Sequence, residues 1–186
     1  MGMNSLANHF LIAMPSLMDP NFHRSVTYIC EHDENGAMGI VINRPMGVQL
    51  IEVLAQMDIV PVNDRIGATE VFTGGPVQQN RGFVLHSPTG QWESMLQITD
   101  EIAITTSKDI LVDISEGQGP ADCLITLGYA GWGPGQLEAE MTANDWLSGP
   151  ANAQILFNVG IEERWKAAAA LLGVDLDLLS DEVGHS

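Results

Sequence analysis

At 186 residues, with 45% hydrophobic residues, the chain has the length and apolar fraction of a globular protein that buries a substantial core. Asp and Glu number 24 against 7 Lys and Arg, a net charge of −17. That balance argues against direct nucleic-acid binding and against adsorption to anionic lipid, which both need a basic face. No apolar run approaches the ~20 residues of a membrane span. The start lacks the basic segment and apolar core of a secretory signal. Cys30 and Cys123 each sit in an apolar run, without a Cys or His at metal-ligand spacing. The expectation is a cytoplasmic protein with two buried thiols, no metal and no cofactor.

In chain order, residues 1–8 read as loose and His9 to Met14 as a first strand. Pro15 to His23 reads as a loop. Ser25 to His32 is β-branched and aromatic, a strand, and Asn35-Gly36 is the turn pair of a hairpin whose return runs Ala37 to Asn43. Gln49 to Met57 predicts a helix and Pro61 to Ala68 a connection. Glu70 to Thr73 reads as a short strand closed by Gly74-Gly75-Pro76. Strands are expected at Arg81–Ser87, Gln91–Ile98 and Glu101–Thr106. Ser107 is placed to cap a helix over Lys108–Ser115, which Gly117 to Pro120 ends. Ala121 to Leu127 reads as a buried strand. Ala153 to Val159 predicts a last strand and Ile161 to Leu172 a helix stopped by Gly173. Residues 175–186 are acidic, with about 180–186 loose.

The densest run of special residues is Leu127 to Leu137, Leu-Gly-Tyr-Ala-Gly-Trp-Gly-Pro-Gly-Gln-Leu. It reads as a turn between the buried strand and a helix over Gln136–Leu147, the kind of strand end where α/β proteins place ligands. Equally, Pro134 can open that helix while Tyr129 and Trp132 close the core. Hairpins mix with β-α steps, so the fold class is α+β: a mixed β-sheet, barrel-like closure included, with flanking helices in one compact domain spanning 1–186.

Arginine is scarce: Arg24, Arg44, Arg65, Arg81 and Arg164. Arg24, Arg44 and Arg81 stand beside strand ends, where a guanidinium can hold a carboxylate or phosphate. Alternatively each pairs with an acid such as Asp19 or Glu31. Cys30 and His32 lie two apart on a strand and are expected to share a face, the minimum for an activated thiol or redox sensor. Alternatively they are a packing cysteine and a hydrogen-bonded histidine. His86-Ser87 are strand neighbours and point apart, and no Gly-x-Ser-x-Gly elbow, dinucleotide fingerprint or Walker lysine occurs. No catalytic residue is assigned.

Four blocks share this unusual character. They are Asp19-Pro20-Asn21-Phe22-His23-Arg24-Ser25-Val26; Gly36 to Asn43-Arg44-Pro45; Gly74-Gly75-Pro76-Val77 with Arg81 to Ser87; and Gly128-Tyr129-Ala130-Gly131-Trp132 with Gly135-Gln136-Leu137-Glu138. Together they resemble the YqgE/AlgH family, the UPF0301 group of bacterial proteins, from about Leu6 to about Trp146. The resemblance implies a compact, cytosolic α+β protein of unsettled function, in a family that carries a transcriptional-regulator label.

The combined reading is a protein that binds a small ligand or a protein partner in a regulatory role, leaning away from enzyme. Its candidate recognition residues are Arg24, Asn43, Arg44, Arg81, His86, Tyr129, Trp132 and Gln136. Cys30 with His32 as a redox or catalytic pair, and an acidic adaptor without chemistry, are the alternatives.

Overall fold

The computed structural model describes residues 5–179. After β1 (His9–Ala13), the Asn35-Gly36 turn closes where the sequence places it, between antiparallel β2 (Val26–Asp33) and β3 (Gly36–Val41). There follow β4 (Pro45–Gln49), α1 (Leu50–Ala55), α2 (Asp64–Gly67), β5 (Glu70–Thr73) and β6 (Val77–Ser87). Next come β7 (Met95–Gln97), β8 (Ala103–Thr105), α3 (Lys108–Ser115), β9 (Asp122–Trp132) and α4 (Gln136–Thr142). β10 (Trp146–Pro150), α5 (Ala153–Phe157), a 3-10 turn (Ile161–Glu163) and α6 (Arg164–Ala170) follow, and residues 176–179 are again helical.

The strands form one curled, half-barrel sheet in the order β10-β1-β2-β3-β9-β6-β8-β7. β9 is its organising strand. One edge of β9 pairs with β6 along most of its length. The other edge is shared: Ile125 to Leu127 run parallel to β5, and Ala130 to Trp132 run antiparallel to β3. Gly128 sits at the switch with φ +83°. A Cβ there would stand 2.4 Å from the Gly75 carbonyl oxygen, and one on Gly75 would stand 2.2 Å from the Tyr129 carbonyl oxygen. These two glycines let the Gly74-Gly75 turn press against β9. Elsewhere the pairing is antiparallel among the described residues, so the sheet is mixed, as expected.

Five local expectations are corrected. The glycine-rich stretch is mostly strand: β9 continues to Trp132, and the turn shrinks to residues 133–135 with Gly135, at φ +74°, capping α4. The helix expected over Gln136–Leu147 stops at Thr142, because Trp146 and Leu147 join β10 against β1. Ala153 to Val159, expected as a strand, contains helix α5; the Asn152 side chain accepts the Ile155 N–H and caps it. Pro45 to Gln49, given no element, is a strand paired on one side to β5. Residues 5–8, expected loose, are held: the Leu6 N–H donates to His32 Nδ1 and the Tyr28 hydroxyl donates to Asn8. The remaining terminal residues assigned as loose, 1–4 and 180–186, lie outside the described residues.

Alternation distributes the core over the two faces of the sheet. One face carries Phe10, Tyr28, Ile40, Phe83, Leu85 and Leu124 against Ile155, Leu156 and Trp165 from α5 and α6. The other carries Val71, Val84 and Ile125 against α1 and α3. Farther along, it carries Leu11, Ile29, Ala130 and Trp132 against Leu137 of α4 and Trp146. The α5/α6 pair leaves part of the first face uncovered, and that part is a cleft.

Candidate binding cleft

The cleft has a volume of about 790 Å³ and is walled by six successive strands or their ends. Met38, Val77, Phe83, Leu96, Ile104 and Tyr129 give it an apolar and aromatic lining. Gln78, Arg81, Ser94 and Thr106 add polar groups, and Glu31 and Glu93 add acids. Trp132 stands at the rim, and Gly131, opposite Met38 in the β3–β9 register, adds no side chain of its own.

Three breaks in strand alternation place these residues. On β2 the register shifts between Ile29 and Glu31. Tyr28 and Cys30 both belong to the first face, and Glu31, next in sequence, lines the cleft on that same face. On β9, Leu127 packs toward α1 and α3, whereas Tyr129 packs on the first face; the left-handed Gly128 between them reverses the parity. On β6 the register shifts between Val77 and Gly82, and Gln78 adopts φ +48°, rare for a non-glycine residue. A bulge inserts a residue and re-aims the side chains beyond it. Here two bulges and one left-handed glycine turn side chains toward one cleft.

The β2 bulge also separates Cys30 from His32, which the sequence placed on one face. Cys30 is buried in the first-face core with its thiol on the Tyr28 carbonyl, and burial pushes that thiol up, away from thiolate. His32 faces α4. Its Nδ1 accepts the Leu6 N–H, so Nε2 carries the proton and donates to Glu138 Oε1 at 2.7 Å. The imidazole therefore ties the chain start to β2 and α4. The two side chains do not face each other.

The five arginines also differ from the bland expectation. Among the described residues none lies within 4.0 Å of a carboxylate; the cation–carboxylate pair found is Lys166–Asp177. Arg44 donates to the carbonyls of Pro20 at 3.0 Å and His23 at 2.5 Å. Buried Arg164 donates to the carbonyls of Val159 and Ile42. Arg24, at φ +57°, lies over the Trp165 ring. Arg81 projects into the cleft, its guanidinium 5.6 Å from the Phe83 ring centroid. Its hydrogen bonds are long and reach neutral groups, Gln78 Oε1 at 3.4 Å and Thr106 Oγ1 at 3.3 Å.

The other candidate residues fall elsewhere. Asn43 bridges the Val26 N–H and the Arg24 carbonyl, closing the β3 end. His86 is fully buried, accepting from the Thr105 hydroxyl on Nε2 and donating from Nδ1 to the Pro88 carbonyl, with Trp92 edge-on at 4.9 Å. Gln136 accepts the Gly133 N–H and donates to Glu140. Thus Arg81 and Tyr129 meet in the cleft and Trp132 borders it with its indole packed on the other face, while Arg24, Asn43, Arg44, His86 and Gln136 do not reach it. Sequence reasoning missed Glu31, Met38, Gln78, Glu93 and Leu96; the placement of Glu31 and Gln78 depends on bulges that no local pattern announces.

A single α+β domain, built on a curled mixed sheet with one open apolar cleft, is the class these features define. The chain belongs to the AlgH-like family, DUF179, whose model matches residues 10–177. It is 56% identical over 179 residues to a UPF0301 protein of Nitrosococcus oceani, covering 96% of each chain. It is 54% identical over 183 residues to one of Chromobacterium violaceum, covering 98% of each. The solution structure of the AlgH protein from Pseudomonas aeruginosa superposes with a TM-score of 0.82 at 52% identity, over 97% of this chain and 95% of that one. A crystal structure from Corynebacterium diphtheriae, 21% identical with a TM-score of 0.74 over 97% of this chain and 94% of that one, shares the fold.

Proposed function

We propose that this protein acts by recognition, binding a small organic anion with an apolar body in the six-strand cleft. The observation that carries the reading is Arg81. In a chain of 24 acids it stands in the cleft without a carboxylate within ion-pair distance among the described residues, held by two long bonds to neutral groups. Such a guanidinium keeps N–H donors for a ligand carboxylate, and Phe83, Tyr129 and Leu96 offer a surface for the ligand's apolar part. Glu31 and Glu93 line the same space and disfavour a multiply charged anion. Binding without covalent chemistry suits a regulatory role, with the ligand drawn from the cytoplasm. The acid excess keeps direct nucleic-acid binding outside this reading, and no described helix is long and apolar enough to cross a membrane.

Titration of the isotopically labelled protein with phenylacetate and octanoate tests the reading. Saturable NMR shifts are expected at the amides of Met38, Arg81, Phe83 and Leu96. Arg81→Ala should weaken binding about 10- to 100-fold, the loss of one charge-assisted contact, while leaving the melting temperature near that of the parent. Equal affinity in Arg81→Ala, or shifts that map away from the cleft, would overturn it.

A further inference from the structure

Three of the four sequence blocks meet at a second cavity, behind the wall formed by residues 75–81. It measures about 170 Å³ and is lined by Pro20 and Asn21, by Arg44 and Pro45, and by Gly75, Pro76 and Gln79, with Val41 and Thr73 completing it. Backbone bonds fix these turns relative to one another. Thr73 N–H donates to the Arg44 carbonyl, Val41 N–H to the Gly74 carbonyl, and Gly74 N–H to the Leu127 carbonyl, each at 2.8 Å. Gly75 is pressed against β9, so the wall is not a loose loop. Adjacent residues of the β6 bulge serve the two cavities, Gln78 facing the cleft and Gln79 the small cavity.

We infer that this cavity is a binding site for one small oxyanion, held by Arg44. A guanidinium has five N–H donors. Two of them tie down Pro20 and His23, so Arg44 is pre-oriented and still has donors to offer. The side chain is half-buried, and no carboxylate lies within 4.0 Å among the described residues. The nearby acid, Asp19, accepts the Asn21 N–H at 2.8 Å and acts on Arg44 only through its charge, from beyond ion-pair distance. Asn21, Thr73 and Gln79 supply further hydrogen-bonding side chains at the same space. At ~30 Å³ per water the cavity holds about six waters. That suits an inorganic phosphate or the head of a small carboxylic acid and is too small for a drug-sized ligand. The net charge of −17 does not forbid this, because charges beyond about 8 Å are largely screened at physiological salt. The site is separate from the cleft.

Inorganic phosphate and sodium acetate, each against sodium chloride at matched ionic strength, are the probes. Saturable shifts are expected at the Arg44 Nε–H and at the amides of Asn21, Gly75 and Gln79, with millimolar affinity. Saturation by phosphate alone names a phosphate-class ligand, and by acetate alone a carboxylate. Arg44→Lys keeps the charge but loses the fork and should weaken binding about tenfold. Arg44 also anchors residues 20–23, so exposed Gln79→Ala, which touches no such anchor, is the second variant and should weaken binding about threefold. Arg81→Ala should leave the affinity unchanged, which keeps this site distinguishable from the cleft. No saturable shift at these groups with either anion, or affinity unaffected by both Arg44→Lys and Gln79→Ala, overturns the inference.

Discussion

Glu140 is the point at which one carboxylate holds α4 to the sheet. Its Oε1 accepts the indole N–H groups of Trp132 and Trp146, each at 3.1 Å, and its Oε2 accepts the Gln136 amide at 2.9 Å. Both indoles are buried, at 6% and 4% exposure. Helix α4 has seven residues, too few to persist by its own propensity. Replacing Glu140 by Ala removes the acceptor and leaves two buried donors. At about 1–3 kcal/mol for each donor left unmade, and with some rescue by water, the cost is about 2–5 kcal/mol. Against a typical domain stability of 5–15 kcal/mol, that is a large fraction. Glu140→Gln retains a side-chain oxygen for the indoles and loses the charge assistance and the Gln136 bond, whose acceptor becomes an amide nitrogen, about 1–2 kcal/mol and less than Ala. Urea unfolding followed by tryptophan fluorescence measures both, with m expected to stay constant. If Glu140→Ala lies within about 0.5 kcal/mol of the parent, or if Gln is as damaging as Ala, Glu140 is not the clamp described.

Two further outcomes concern titration. Burial holds His86 below the ordinary imidazole value, with the Pro88 carbonyl bond opposing. The unfolded chain takes up this proton near pH 6.5 and the folded chain resists it. Stability contributed here is therefore present above pH 6.5 and lost as pH falls below it. The urea midpoint should drop between pH 7.5 and 5.5, and by less in His86→Gln; equal slopes would remove His86 from the account. Burial, and then Asp122, push the Cys123 thiol up to about 11, and Cys30 is displaced in the same direction. Unfolded thiols ionise near 8.5. Stability should therefore decline from about pH 8.5 toward pH 11, and iodoacetamide should label neither cysteine of the native protein at pH 8. Rapid native labelling of Cys30 would reinstate cysteine chemistry.

What the sequence reveals and what it hides divide on a physical line. The β2–β3 hairpin is legible because Asn35-Gly36 carries its own turn preference. Lys108–Ser115 is legible because its apolar stripe, Ile110, Leu111 and Ile114, repeats at helical spacing. β10 is hidden because Trp146 and Leu147 extend the spacing of α4; only pairing with β1 decides between helix and strand. β4 is hidden because Met46-Gly47 is exposed edge with no buried alternation to read. α5 is hidden because Ile155, Leu156 and Phe157 favour a strand locally, and the Asn152 cap and burial against α6 override them. The candidate site fails to read for a different reason. Assigning a face to Cys30, Glu31, Tyr129 or Arg81 requires counting by twos from a known residue, and each count crosses a bulge. One inserted residue inverts every side chain beyond it. Gly128, which marks one of these places, and Gly75 are visible in sequence, but their reason is tertiary: a Cβ on Gly128 would meet the Gly75 carbonyl, and one on Gly75 would meet the Tyr129 backbone. The blocks that looked like parts of one pocket are therefore better understood as the two sides of one wall. Gln78 and Arg81 face the cleft and Gln79 lines the cavity with Arg44, so substitutions at neighbouring positions of a single strand should separate the two proposed binding activities.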